Sequence, residues 1–296
     1  MALPPTVETV GFRTTICMRK ALINMIKHAE EEVKNNDISN VLKDDFIKTV
    51  EENGEVDHIP SKTVSPSSMN CVRQMCFKYN GTKPTNVKKS YTLDIICEIG
   101  TKTHEFVQKN CLSLSSFEYV NVADYVRKFK PKNIVVYKES NFVDEFETHL
   151  YYMKDDKPVV SFLCDGVLKS KKTGKYYILE IKTEGSGAFF KQDGVQEKHK
   201  NQATAYSLLL DIPTVVFMYF SRDIPNVKTY SYTPSRDEKE TLKNKINSVI
   251  EAVDKGVILP KPMTVTKRDC AYCIYKSKCK EIGLNEYSID KEDTEE

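Results

Sequence analysis

Two apolar runs near the middle of the chain, Val159–Leu168 and Tyr176–Ile181, are rich in β-branched and aromatic residues and flank the polar stretch Lys171-Lys172-Thr173-Gly174. That pattern predicts a β-hairpin with a four-residue loop. If Ser170 pairs with Lys175, counting back along the ladder places Asp165 opposite Glu180, with Cβ atoms about 4.5–5.5 Å apart. Glu180 and Lys182 are two apart on one strand and therefore face the same side. Two acids and a lysine converge on one spot within otherwise apolar strands, where uncompensated charge is costly. Further strands are predicted at Ile134–Glu139, Glu145–Met153, Val215–Phe220 and Thr229–Tyr232.

Helical spacing appears first in residues 14–34, through Met18, Leu22, Met25, Ala29 and Val33, and again over Ile38–Glu51. Ser65-Pro66-Ser67 reads as a helix start capped by Ser65, and that helix carries Cys71, Arg73, Cys76 and Tyr79 before ending near Gly81. A helix over Thr92–Cys111 puts Gly100 and His104 on one face. The polar Gly185–Gly187 stretch leads into a helix through Lys198–Leu210, and Arg236–Lys255 forms a long amphipathic one. The fold class is α/β, a mixed sheet with helices against it.

Composition changes this picture little: 40% hydrophobic and 29% charged residues suit a soluble globular chain. No apolar run approaches the ~20 residues of a membrane span, and the N-terminal stretch lacks a basic-then-apolar pattern, so no signal peptide is expected. The expected location is the cytoplasm, or a host's cytoplasm if the chain is viral. The nine cysteines then read as thiols or metal ligands. Charge is uneven. The tail 285–296 is acidic and expected to be disordered, with six acids against one lysine. Between Lys169 and Lys200 stand eight lysines and four acids, a basic zone suited to a phosphate-rich partner, although lysines on a hairpin tip are also ordinary surface residues. Residues 1–60 hold eleven acids and seven basic residues and read as an accessory helical segment.

Asp165, Glu180 and Lys182 fit a minimal D…E-x-K pattern. Hard carboxylate oxygens suit Mg²⁺ or Mn²⁺, and a lysine beside them can steady a nucleophile or developing charge. Gln202 and Tyr206, four apart, share a helical face from which an amide and a phenol could orient phosphates or the lysine. His104 is a candidate further metal ligand through a neutral imidazole. Glu139, at the end of an apolar strand, is a softer candidate for supporting the site. Cys270, Cys273 and Cys279 give C-x₂-C-x₅-C, three ligands of a soft-metal site whose fourth, Cys71 or Cys76, comes from far upstream. Both an iron–sulfur cluster and Zn²⁺ fit that spacing. Cys17, Cys97, Cys111 and Cys164 read as core thiols.

Together these residues resemble the RecB-type branch of the PD-(D/E)xK nucleases, specifically the CRISPR-associated exonucleases and phage relatives with a four-cysteine iron–sulfur cluster. The resemblance runs from about Ser65 to Ile282. It rests on Ser65-Pro66-Ser67 with Cys71-Val72-Arg73, Gly100-Thr101-Lys102-Thr103-His104, Asp165 with Glu180-Ile181-Lys182, Gln202-Ala203-Thr204-Ala205-Tyr206, and Cys270, Cys273 and Cys279. Cys164 stands where a proline would precede Asp165, and the first 60 residues fall outside the likeness. The resemblance implies a restriction-endonuclease-like mixed central sheet flanked by helices, spanning residues 61–284, with the cluster joining its N- and C-terminal parts. It implies a metal-dependent deoxyribonuclease, an exonuclease on single-stranded DNA or frayed ends. His104, Asp165 and Glu180 would hold Mg²⁺ or Mn²⁺, Lys182 would assist the attacking water, and Gln202 and Tyr206 would position substrate. Cys71, Cys270, Cys273 and Cys279 would ligate a [4Fe-4S] cluster, with Zn²⁺ as the alternative. Its partners would be DNA and recombination or CRISPR adaptation proteins, without a membrane, and a homo-oligomer is compatible. The alternatives are an endonuclease using the same site and a non-catalytic DNA-end-binding protein. No phosphate-loop motif accompanies the module, so no motor is expected.

Overall fold

The structure, a computed structural model, describes residues 24, 25, 27, 38–52, 62–85, 90–141, 146–271 and 273–282. Its contacts divide the chain into two units, one of Met1–Glu55 with Lys89–Tyr91, the other of Val56–Lys88 with Thr92–Glu296. In the first unit the described element is helix α1, residues 38–52, in agreement with the periodicity there. Most of the helix expected within 14–34 lies outside the described residues, as does the acidic tail.

In the second unit a short 3-10 turn, Pro66–Ser68, precedes α2 (Val72–Tyr79) and α3 (Tyr91–Cys111). The one helix expected from Ser65 is therefore broken at residues 69–71, and Cys71 becomes the N-cap of α2. Then follow β1 (Phe117–Val120), α4 (Val122–Phe129), β2 (Ile134–Lys138), β3 (Thr148–Lys154), β4 (Lys157–Cys164), β5 (Gly166–Ser170) and β6 (Tyr176–Glu184). The chain continues through α5 (Ser186–Lys191), α6 (Glu197–Leu210), β7 (Val215–Ser221), β8 (Val227–Tyr232), α7 (Arg236–Asp254), α8 (Lys267–Cys270) and α9 (Lys276–Glu281). β1 and α4, of four and eight residues, are not among the elements that the sequence pattern predicts.

Two sheets result, one of five strands in the order β1-β5-β6-β7-β8 and one of three in the order β2-β3-β4. β6 and β7 run parallel and the other neighbours antiparallel. A parallel pair needs a long crossover, and α5 and α6 supply it. The hairpin forms in the expected register: Gly166 pairs with Leu179, Val167 with Ile178, and Ser170 N–H donates to Lys175 O at 2.9 Å. Gly174 takes φ +70° to close the loop, a conformation that suits a residue without Cβ.

The run Val159–Leu168, however, is not one strand. β4 stays paired to β3 as far as Cys164 opposite Thr148, and β5 begins at Gly166 on β6. Asp165 is the single residue between, where the chain leaves one sheet for the other. The peptide there is held by Tyr119 and Gln108, whose hydroxyl and amide both donate to Asp165 O, at 2.5 and 2.8 Å. Gly166 is required beside it, since a Cβ would lie 2.2 Å from Cε2 of Tyr119. The main core gathers β3, β4, β6, β7, α6 and α7 through Leu150, Phe162, Ile178, Phe217, Leu209 and Val249.

Candidate active site

β6 is central in its sheet, and Ile178, Leu179, Glu180 and Ile181 are all at most 1% exposed. Strands covered on both faces read as continuous apolar runs, so Glu180 is an acid set where the pattern calls for Val or Ile. Burial, and then the charge of Asp165, push its pKa up to about 7. Its Oε1 accepts from Lys182 Nζ at 2.5 Å and from Gln202 Nε2 at 2.7 Å. Gln202 is held in turn, with Nε2 3.0 Å from the buried Tyr206 hydroxyl. Gln202 and Tyr206 thus form a bracket behind Glu180. The other oxygen, Oε2, is buried without a hydrogen-bond partner. An orphaned buried carboxylate oxygen costs several kcal/mol of desolvation by general estimates, ~1–3 for a neutral group and more for a charged one, so it points to something absent from the protein's own atoms.

Asp165, 7% exposed, stands beside it. Its Oδ2 accepts from Ile181 N–H at 2.6 Å, and its Oδ1 lies 3.4 Å from His104 Nδ1. Burial is the largest influence and opposes its charge, but His104, Lys182 and the Ile181 N–H together hold its pKa below the ordinary value. His104 Nδ1 also lies 3.8 Å from Glu147 Oε1. Burial alone would discharge the imidazole, yet Asp165 and Glu147 push its pKa up to about 10. Lys182 follows the same logic: burial opposes the ammonium, and Glu180 and Asp165 prevail, raising its pKa.

His104, Glu147 and Asp165 each offer a ligand atom, all within 4.8 Å of one another. These three form a donor set of carboxylate oxygens and one imidazole that suits a divalent cation, and Glu180 lies outside that set although its carboxylate feels the charge of Asp165. A cation would replace the proton that His104 otherwise holds between two carboxylates. Glu147 was not anticipated from the sequence. It lies at the edge of a stretch crowded with acids, Asp144-Glu145-Phe146-Glu147, and only the pairing of β3 with β4 distinguishes it from its neighbours. Glu147→Gln keeps the shape and removes the charge. Mn²⁺ binding, followed by titration calorimetry, is expected to weaken about tenfold or more, and unchanged affinity would remove Glu147 from the ligand set.

Glu139 is a correction. Its carboxylate pairs with Arg127, which also holds Asp124 at 2.7 Å on an exposed surface, and the structure does not bring it into this group. Arg127, on the exposed side of α4, holds Glu139 there. Among the presumed core thiols, Cys111 and Cys164 are buried, but Cys97 is exposed on α3, and Cys17 lies outside the described residues.

The cysteines of the two chain ends share a neighbourhood, though their sulfurs are not among the described ligand atoms that gather within 4.8 Å of one another. Cys71 senses the charge of Cys270 and Cys279, and Cys273 that of Cys270, Cys71 and Cys279, though burial is the larger cause of their raised pKa values. Cys76 instead is 0% exposed within the main core. Arg73, fully buried, donates from Nη1 to Cys279 Sγ at 3.3 Å and from Nε to Leu259 O at 3.1 Å. Thr85 N–H donates to Ile274 O, and Phe77 packs on Tyr275 with centroids 5.3 Å apart.

Residues 164–280 match the family model described as the PD-(D/E)XK nuclease superfamily. That span takes in Asp165, Glu180, Lys182, Gln202, Tyr206 and Cys270, Cys273 and Cys279, and leaves out His104, Glu147 and Cys71. Sequence comparison with curated proteins gives no match. Among solved structures, SSO0001 is similar over 81% of this chain and 96% of its own, at 15% identity and TM-score 0.43. The alkaline exonuclease LHK-Exo from Laribacter hongkongensis is similar over 67% and 90%, at 9% identity and TM-score 0.39. Candida albicans Rai1, solved in complex with pU5 and Mn²⁺, is similar over 74% and 68%, at 13% identity and TM-score 0.24. Among the described residues no helix is long and apolar enough to cross a membrane.

Proposed function

We propose that the chain is a divalent-metal-dependent deoxyribonuclease, acting as an exonuclease on single-stranded DNA or frayed ends. The observation that carries this reading is the buried, partnerless Oε2 of Glu180 beside the His104–Glu147–Asp165 group. His104, Glu147, Asp165 and Glu180 would hold Mg²⁺ or Mn²⁺. When bound, such a cation supplies Lewis-acid polarisation of a phosphate and a more acidic water.

The chain's own residues do the rest. Asp165 is aimed by Ile181 N–H, and Glu180 is fixed by Gln202 and Lys182, so the carboxylates are set before substrate arrives. Preorganised charge of this kind costs no rearrangement during reaction. Lys182 keeps its proton because two carboxylates flank it, and its fixed positive charge offsets the negative charge that grows on a phosphate as water attacks. Hydrolysis joins one water oxygen to phosphorus, breaks the phosphorus–oxygen bond to the leaving nucleotide and delivers a proton to the departing oxygen. Gln202 and Tyr206 act as positioning residues for Glu180 in this scheme rather than as contacts to DNA.

The same reading includes an iron–sulfur cluster on Cys71, Cys270, Cys273 and Cys279, supported by their shared neighbourhood and by Arg73 on Cys279. Cys76, committed to the core, is not its ligand. The cluster would be structural, tying α2 to α8 and α9.

Digestion of end-labelled linear and circular single-stranded DNA with Mg²⁺ or Mn²⁺ tests the function. Linear strands are expected to be degraded and circles spared, with activity lost in Lys182→Ala. Cutting of circles would assign an endonuclease. No cleavage of either by folded protein would reject hydrolysis and favour a DNA-end-binding role.

A further inference from the structure

The outward face of the three-stranded sheet carries an aromatic cluster that the reading above leaves unused. Alternation along β3 sends Thr148 and Leu150, both 0% exposed, into the core and turns His149 and Tyr151 to the opposite face. Glu147, two residues before His149, falls on that same face. On β4, Leu163 is 45% exposed and pairs with His149, one residue before the strand ends at Cys164 and the chain turns through Asp165. On β2 the register slips between Val136 and Lys138, and Tyr137 at the slip is 65% exposed.

The three rings touch one another. Centroids of Tyr137 and His149, Tyr137 and Tyr151, and His149 and Tyr151 lie 5.1, 5.1 and 5.0 Å apart. The first pair meets at 81°, edge to face, so the rings steady each other while Tyr137 stays 65% exposed. The His149 ring is fixed further by Nε2 at 2.6 Å from Ser161 Oγ. Large apolar surface left in water beside a catalytic group usually marks a binding surface. Lys138, in register with His149, adds a cation at its margin.

We propose that Tyr137, His149, Tyr151 and Leu163 form a base-stacking platform that delivers unpaired nucleotides of a DNA strand to the Glu147–Asp165 end of the sheet. This rests on the deoxyribonuclease reading and deepens it by naming the surface that holds the unpaired strand. Stacking on aromatic side chains requires a free π-face, which unpaired bases offer and bases inside a duplex do not. Two strand residues separate the platform from the ligand group, a rise of about 6.6 Å, the length of roughly two stacked nucleotides.

Fluorescence anisotropy without added Mg²⁺ or Mn²⁺ tests it, using labelled oligothymidine, an abasic strand of equal length and a blunt duplex. Wild-type protein is expected to prefer oligothymidine to both. Tyr137→Ala with Tyr151→Ala should bind oligothymidine about tenfold or more weakly, bind the abasic strand unchanged and so lose the preference. The single Tyr137→Ala, at the most exposed of the rings, should show part of the loss, and Tyr137→Phe none. Equal binding of abasic and thymidine strands by the wild type, or an undiminished preference in the alanine variants, would overturn the platform. If linear DNA is still hydrolysed in that case, the nuclease reading stands alone. A wild-type protein that neither binds nor hydrolyses any strand removes both.

Discussion

Asp165→Asn is expected to lower hydrolysis of linear single-stranded DNA about 10³-fold or more, equivalent to roughly 4 kcal/mol of transition-state stabilisation, while the melting temperature stays near that of the wild type. Asp165 occupies the one position between β4 and β5, and several groups around it register its charge. Its Oδ2 accepts from Ile181 N–H, its Oδ1 meets His104, and its field reaches both Glu180 and Lys182. Asparagine can still offer its amide oxygen to Ile181 N–H, so the sheet junction survives. It cannot carry the charge that the His104 contact favours, and it brings N–H donors where a cation would need an acceptor. Single-turnover cleavage beside a thermal melt separates the two effects. Activity within tenfold of wild type would show that the chemistry lies elsewhere.

Cys279→Ala should lower the melting temperature by about 10 °C or more, corresponding to several kcal/mol for a domain of this size. Two losses combine. The buried Arg73 guanidinium loses the sulfur at 3.3 Å, and the proposed cluster would lose one of its four ligands. Anaerobically purified wild-type protein should be brown and contain iron and acid-labile sulfide, and the variant should lose both. Cys97→Ala, on an exposed stretch of α3, serves as the comparison and should melt like the wild type. An unchanged melt for Cys279→Ala would exclude Cys279 as a ligand, and colourless protein with stoichiometric zinc would assign the site to Zn²⁺.

What was legible from sequence depended on how local the determinants are. The β5–β6 hairpin was readable because a Gly-ended four-residue loop and strand alternation are both short-range rules, and they set the register that brings Asp165 near Glu180. α7 was equally readable, and its start is held by a reciprocal cap between Ser235 and Glu238, with Glu238 N–H donating to Ser235 Oγ at 3.1 Å. The break at Asp165 was not. Val159–Leu168 is a good strand throughout, and only competition between β3 and β6 for its two halves divides it.

The candidate site follows the same line. Residue types and spacing by themselves named Asp165, Glu180 and Lys182, and they set Gln202 four residues before Tyr206, because strand and helix periods carry that information. Only the tertiary structure decided that Glu147 joins His104 and Asp165 while Glu139 turns away to Arg127. Both acids end or precede apolar strands in the same small sheet, and nothing local separates them. What separates them is the partner each meets across the fold, His104 from α3 in one case and Arg127 from α4 in the other, and such contacts belong to the packing of elements rather than to any stretch of chain.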